Sequence, residues 1–322
     1  MREEASDHVG TLLGRAQAAL GDRGELVGND RTPRFELFHA AASICSQKVR
    51  CVLAQHGIPY VSHAMNMFLG ETYLPDYVRL RMLGCRRLGG ALAHHHSGST
   101  STEKGGCDGA VVPTLVDRRS ADILVDSKRI CLFLDVQAPE ERRLRPTDAA
   151  PAIDEQLAIV DDLPNYQMLM GRTPGRDERP ESRNDMLGAF SMRKVAWCDR
   201  HLRENAQDET LTRAYTAKRS KEASAADELF SSEAMNAAYG RADASLHDLE
   251  RELARRTGVW LFGERLTMAD LFWGIELLRM KDVGVSCFWR DGRLPLVEGF
   301  LTVVEALPAI RVSITDWPGA RF

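Results

Sequence analysis

The spacing of the apolar residues changes character once along this 322-residue chain, and that change constrains its layout more than any other feature. Up to about Gln137, short β-type runs alternate with helical ones; beyond it, strand patterning of comparable quality does not return. RFELFHA, residues 34–40, is an aromatic strand candidate. Ser43 to Ser46 supply helix-start residues, Val49, Val52 and Leu53 follow at i, i+3, i+4 spacing, and Gly57 fits a C′ stop with Pro59 just beyond. A second strand runs from Tyr60 to Met65. VVPTLVD and ILVD then form two short strands joined by the polar turn DRRSAD, and Asp126 or Ser127 caps a helix through KRICLFL.

Strand, helix, strand, irregular piece, hairpin, helix is the order of an α/β thioredoxin-like domain, here residues 33–137. Residues 84–109, rich in Gly, Ser and His and without a period, read as an insertion in it, either a flexible lid or disordered chain. Residues 1–32 read as a polar N-terminal extension with little function, and 138–153, with prolines and no apolar period, as a linker. Residues 154–322 read as an all-helical domain. In it Ala242, Leu246, Leu249 and Leu253 recur at helical spacing, and Met268, Leu271, Phe272, Ile275 and Leu278 share one face behind a capping-box-like Thr267 and Asp270. The Met and aromatic positions of MLGAFSM and DLFWGIELLRM read as core, or as an apolar substrate wall.

Charge excludes several functions. The net value is −4 with both signs interspersed, so the chain lacks the basic stripe that would neutralise phosphates or anionic lipid; neither nucleic acid nor a membrane surface is expected as a partner. No stretch approaches the roughly 20 apolar residues of a membrane-spanning helix, and MREEASDHVG has no apolar leader core, which points to a cytoplasmic protein. Seven cysteines (45, 51, 85, 107, 131, 198 and 287), odd in number and scattered, suit a reducing compartment with free thiols. His94, His95 and His96 have no helical partner at ligand spacing, so no metal site is expected, and the glycines match no nucleotide-binding fingerprint.

Three features carry chemistry. Cys45 sits in the first turn of a helix, where unpaired N–H groups and the dipole favour thiolate, and Ser43, Ser46 and Lys48 make the setting polar and electropositive; the plain alternative is a small core residue. Pro113 enters a strand and so belongs at its start or in a special turn. A cis Val112–Pro113 bond would turn the backbone N–H and C=O of Val112 outward, toward an extended peptide; the alternative is an ordinary edge-strand proline. Asp126 and Ser127 cap a helix, and a helix start also takes a carboxylate while Asp126 could hold an amino group. Together they describe a site for a zwitterionic, peptide-like thiol.

SICSQK, VPTLV, the DS pair of VDSKRICLFL and GERLTMADL resemble glutathione S-transferases, over most of residues 34–322. More narrowly, ELFHAAASICSQKVR, PDYVRL, GAVVPTLVD and LTMADLFW resemble the bacterial reductive dehalogenases that act on chlorinated hydroquinones. The resemblance implies the glutathione S-transferase fold, glutathione as cosubstrate, a small halogenated aromatic substrate and, by analogy, a homodimer. It implies that glutathione lies along Val112 and Pro113 with its γ-glutamyl end at Asp126 and Ser127, near Lys48. Cys45 then attacks the sulfur of a glutathionyl conjugate, and Ser43 donates a hydroxyl hydrogen bond. β-Aryl ether cleavage, simple conjugation, or a non-catalytic ligand-binding or redox-sensing protein are the alternatives on the same scaffold.

Overall fold

The computed structural model describes residues 2–172 and 182–321, with side chains from residue 7 onward and, in the second span, at 190 and from 192 onward. Its elements run α1 (Arg2–Ala19), β1 (Glu25–Val27), β2 (Phe35–His39), α2 (Ile44–His56), β3 (Tyr60–Ala64), α3 (Pro75–Leu88), α4 (Thr102–Gly105), β4 (Thr114–Asp117), β5 (Asp122–Val125) and α5 (Ser127–Asp135). The helices α6 (Ala150–Asp162), α7 (Asn165–Met170), α8 (Ser182–Glu204), α9 (Glu209–Glu228), α10 (Ser232–Arg255), α11 (Met268–Asp282) and α12 (Pro295–Glu305) follow.

The sheet order is β1-β3-β2-β4-β5, with β2 and β3 parallel and the other pairs antiparallel. The parallel pair forces a crossover, which α2 supplies. Gly57 ends that helix at φ 64°, a left-handed turn that glycine adopts without a Cβ clash, so the chain can turn back into β3. The α/β half followed by helices thus has the architecture the sequence pattern predicts.

Four local expectations are corrected. Residues 1–32 are no mere extension: Val9, Leu12, Leu13, Ala16 and Leu20 bury a helical stripe against Phe38, Tyr77 and Val116, and β1 adds an edge strand to β3. Residues 84–88 belong to α3, and the segment after them is neither disordered nor loose. Cys85 and Cys107 are disulfide-bonded with Cα atoms 5.9 Å apart, so the scattered cysteines are not all free thiols; Cys45, Cys51, Cys131, Cys198 and Cys287 are. The segment also docks on the helical half through Thr100 N to Asp161 O, 3.1 Å, and Tyr166 N to Gly98 O, 2.9 Å. Within the expected linker, α6 already begins at Ala150, while the Asp135 carboxylate accepts from Leu144 N at 2.7 Å and Arg145 N at 3.0 Å, which fixes the turn between the halves.

The fourth correction concerns α11. It shows no single apolar face: every residue from Met268 to Met280 is buried, Asp270, Glu276 and Arg279 included, because α2, α6 and α12 all pack on it. Its start is as predicted, the Asp270 carboxylate accepting from both the N–H and the hydroxyl of Thr267 at 2.8 and 2.6 Å. Leu37, Val52 and Leu134 share one buried cluster with Leu271 and Phe300, so the two halves have a common core. A Cβ on Gly274 would overlap Val304 of α12. Gly274→Ala should therefore lower stability by about 1–3 kcal/mol through overpacking, read by urea unfolding; an unchanged midpoint would mean that α12 yields freely. No described helix is long and apolar enough to cross a membrane.

Candidate active site

The loop from β2 into α2 places Cys45 in the first helical turn. Ser43 is the N-cap, its Oγ accepting from Ser46 N at 3.3 Å, and Ser46 Oγ accepts from Ala40 N at 3.2 Å. Facing it, the Val112–Pro113 bond is cis, one of the two readings the proline at the strand start left open. Arg81, buried behind that bend, donates to Pro113 O, to Asp108 O at 2.7 Å and to Thr114 Oγ1 at 2.9 Å, and Tyr77 Oη donates to Val111 O at 2.6 Å. Held in this way, Val112 keeps its own N–H and C=O without a hydrogen-bond partner among the described residues.

Asp126 adopts φ 75°, an unusual value for a residue with a Cβ, and caps α5 with one carboxylate oxygen accepting from Arg129 N at 2.9 Å. The other oxygen accepts from Thr102 Oγ1 at 2.7 Å, so the inserted segment reaches the start of α5. A cavity of about 280 Å³ joins these parts: Ser43, Cys45, Val112, Pro113, Asp126 and Ser127 all line it. Six of the seven residues singled out in the sequence thus meet at one space.

Lys48 does not. It is fully buried, its Nζ 2.8 Å from Asp161 Oδ1 and 4.5 Å from the Phe272 ring centroid, and it forms no part of the cavity wall. Burial opposes its charge, but Asp161, Cys45 and Glu276 together hold it protonated well above the usual lysine range. The expectation that Lys48 contacts glutathione is therefore corrected: it acts on Cys45 through space, from behind. Behind the wall too, burial pushes the Glu276 carboxyl up to about 7, against the opposing pull of Lys48 and a hydrogen bond from Asn165.

The thiolate expectation for Cys45 is also corrected. Burial raises its thiol above the ordinary value; Lys48 and a hydrogen bond with Ser127 pull it down, but Asp161 and Asp126 push it up again, and the sum is a rise. Sequence spacing showed the helix start and the lysine. It could not show two carboxylates arriving from α6 and the β5–α5 junction.

Sequence reasoning missed the opposite end of the cavity. Lys194 from α8 and Lys218, Lys221 and Glu222 from α9 line it with Asp108 and Tyr166. Lys218 Nζ lies 2.8 Å from Asp108 Oδ2 and 2.7 Å from Glu222 Oε1; Lys221 Nζ lies 3.0 Å from Asp108 Oδ2, and Lys194 Nζ 3.1 Å from Glu222 Oε2. The lysines hold both carboxylates ionised, well below the usual range, despite burial. In sequence, AKRSKE looks like an ordinary solvated helix face, and nothing distinguishes it from one.

His96 stacks on Tyr166 at 4.0 Å between centroids, and burial with the nearby lysines lowers its pKa to about 2, so it is neutral. Among the described residues no group of three or more His, Cys, Asp or Glu is arranged to hold a metal ion. Of MLGAFSM, Phe190 lines the cavity and Met192 is exposed, which corrects the core reading at 192, while the side chains at 186–189 and 191 lie outside the described residues.

Comparison with known proteins places the chain in one family. The profile described as glutathione S-transferase, N-terminal domain, matches residues 42–137. A 2,5-dichlorohydroquinone reductive dechlorinase of Sphingobium indicum is 38% identical over 294 residues, which cover 89% of this chain and 84% of that one. Among solved structures, a β-etherase from Sphingobium sp. strain SYK-6 superposes with a TM-score of 0.55 at 13% identity, covering 88% of this chain and all of that one. A glutathione transferase from Phanerochaete chrysosporium, solved with oxidised glutathione, gives a TM-score of 0.50 at 14% identity, over 88% and 95% of the two chains. At such identities the superpositions establish the fold alone.

Proposed function

The chain belongs to the glutathione S-transferases, and from that premise we propose that it is a glutathione-dependent reductive dehalogenase acting on a chlorinated hydroquinone-type ring, a chlorohydroquinone or a chlorogentisate. The observation that carries this reading is one cavity shared by a cysteine at a helix start, the free backbone of Val112 and the first turn of α5.

Glutathione fits that wall. Val112 offers one donor and one acceptor to an extended peptide, and Ser127 with Asp126 offers a helix start and a carboxylate for the two charges of a γ-glutamyl end. Thr102 already donates to Asp126, so its hydroxyl would share that end. The Ser43 hydroxyl accepts from Ser46 N and still has its own proton to donate to a ligand oxygen.

The reaction then runs in three steps. The glutathione thiolate attacks the chlorinated carbon of the keto tautomer; a C–S bond forms and chloride leaves with the C–Cl electron pair. Cys45, as thiolate, attacks the glutathionyl sulfur; an S–S bond forms, the C–S pair passes to the ring carbon, and that carbon takes a proton. A second glutathione thiolate displaces Cys45 from the mixed disulfide. In sum, two glutathiones are oxidised to the disulfide, while hydrogen replaces chlorine on the ring.

The test is an assay of chloride, ring product and glutathione disulfide with 2,5-dichlorohydroquinone. The reading expects all three; chloride with only a stable conjugate would make the protein a conjugating transferase, and no chloride would remove the proposal.

A further inference from the structure

The charged end of the cavity is not used by the chemistry above. Three ammonium groups, Lys194, Lys218 and Lys221, face two carboxylates, Asp108 and Glu222, and His96 beside them is neutral. Among the described residues one positive charge is left over in a largely buried place. Arg81 adds to it, since its donors go to two backbone carbonyls and a hydroxyl rather than to an acid.

The surplus is local to Lys221. Lys218 spans both carboxylates, and Lys194 takes Glu222 and Tyr166 Oη, each at 3.1 Å. Lys221 has a single hydrogen-bond partner among the described residues, Asp108 Oδ2, which it shares with Lys218. An ammonium carries three donors, so two of them are left for something else in the cavity. Tyr73 makes the same point independently. It lines the cavity at 3% exposure, and its hydroxyl has no hydrogen-bond partner among the described residues. A buried unpaired hydroxyl costs stability unless a ligand satisfies it.

We propose that Lys221, with Tyr73 and backed by Lys218 and Lys194, is the subsite for an anionic oxygen of the aromatic substrate, a ring carboxylate or a phenolate, and that it selects ionised rings over neutral ones. The inference takes the aromatic ring from the function proposed above, but it concerns binding and can be tested without turnover. It also orients the ring: the anionic oxygen lies at the helical end of the cavity while Cys45 faces the ring from the α2 end.

The test is equilibrium binding of non-chlorinated rings, 2,5-dihydroxybenzoate and hydroquinone, to the full chain, followed by tryptophan fluorescence. Lys221→Met removes the charge at similar length, and Lys221→Arg restores it. Lys221 makes one ion pair at the cavity wall, and a melting curve confirms that each variant folds. Loss of one charge-assisted contact predicts weakening by about thirtyfold in Lys221→Met, with Lys221→Arg within about threefold of the parent. Weakening of 2,5-dihydroxybenzoate alone identifies the carboxylate as the anion; weakening of both rings, with the hydroquinone effect growing as pH rises toward its own ionisation, identifies the phenolate, and a hydroquinone effect independent of pH overturns selection for ionised rings.

Unchanged binding of both rings in Lys221→Met, or no binding to the parent protein, overturns the subsite. Equal weakening of glutathione also overturns it, by moving the anion to the cosubstrate. Should ring binding depend on Lys221 while no chlorohydroquinone releases chloride, the subsite stands and the dehalogenase reading falls.

Discussion

A Cys45→Ser variant is expected to go on releasing chloride until one glutathionyl conjugate has formed per ring, and then to stop. Formation of the reduced ring should drop about a thousandfold or more, the scale seen when a covalent nucleophile is removed. The first step needs only the glutathione thiolate, a chlorinated carbon and the cavity, none of which the substitution removes. The second needs a sulfur nucleophile that can end in a disulfide, which a serine hydroxyl cannot do. The pH dependence carries a sign. Burial and the carboxylates of Asp161 and Asp126 raise the thiol of Cys45, so its reactive thiolate fraction grows as pH rises through neutrality. Ring reduction by the parent protein should therefore speed up over that range. Product analysis by chromatography over a pH series checks both statements, and unchanged reduced product in Cys45→Ser would remove Cys45 from the chemistry.

The second large effect is on stability. Lys218 is the centre of the buried ion network, 4% exposed and bonded to both Asp108 and Glu222. Lys218→Met strands two buried carboxylates on Lys221 and Lys194 and should cost about 3–5 kcal/mol at neutral pH, the usual price of breaking a buried pair by removing one partner. Both carboxylates have folded values below their unfolded ones. Their contribution is therefore complete above the unfolded value, about pH 4, and is lost as pH falls toward the folded values. In the variant they rise toward ordinary values, so the gap between parent and variant should narrow on acidification. Urea unfolding at pH 7 and at about pH 3, below the unfolded carboxylate values, measures it. A loss under about 1 kcal/mol at pH 7 would mean that water or rearrangement replaces Lys218.

Local chemistry made the α/β half legible. The Ser43 to Gly57 helix, the proline at the head of β4 and the capping residue Asp126 each leave a short-range signature, and each lies where that signature puts it. Less was legible where a residue's meaning depends on what packs against it from far along the chain. Lys48 is four residues from the helix start, yet Asp161 of α6 claims it, more than a hundred positions later. Lys218 and Lys221 look like solvent-facing charges until Asp108 of the inserted segment meets them. Val9, Leu12, Leu13 and Ala16 do have helical spacing, but the polar residues around them made the segment read as an extension. In α11 the apolar spacing implied one buried face, whereas contact with three helices buries all of them.

In the proposed mechanism Cys45 turns a conjugate into a reduced ring at the expense of two glutathiones. The most direct measurement is the molar ratio of glutathione consumed to chloride released, in the parent protein and in Cys45→Ser, on 2,5-dichlorohydroquinone. A ratio of two with glutathione disulfide formed is expected in the parent, falling to one without disulfide in the variant. A ratio of one in the parent, or of two in both proteins, would contradict it.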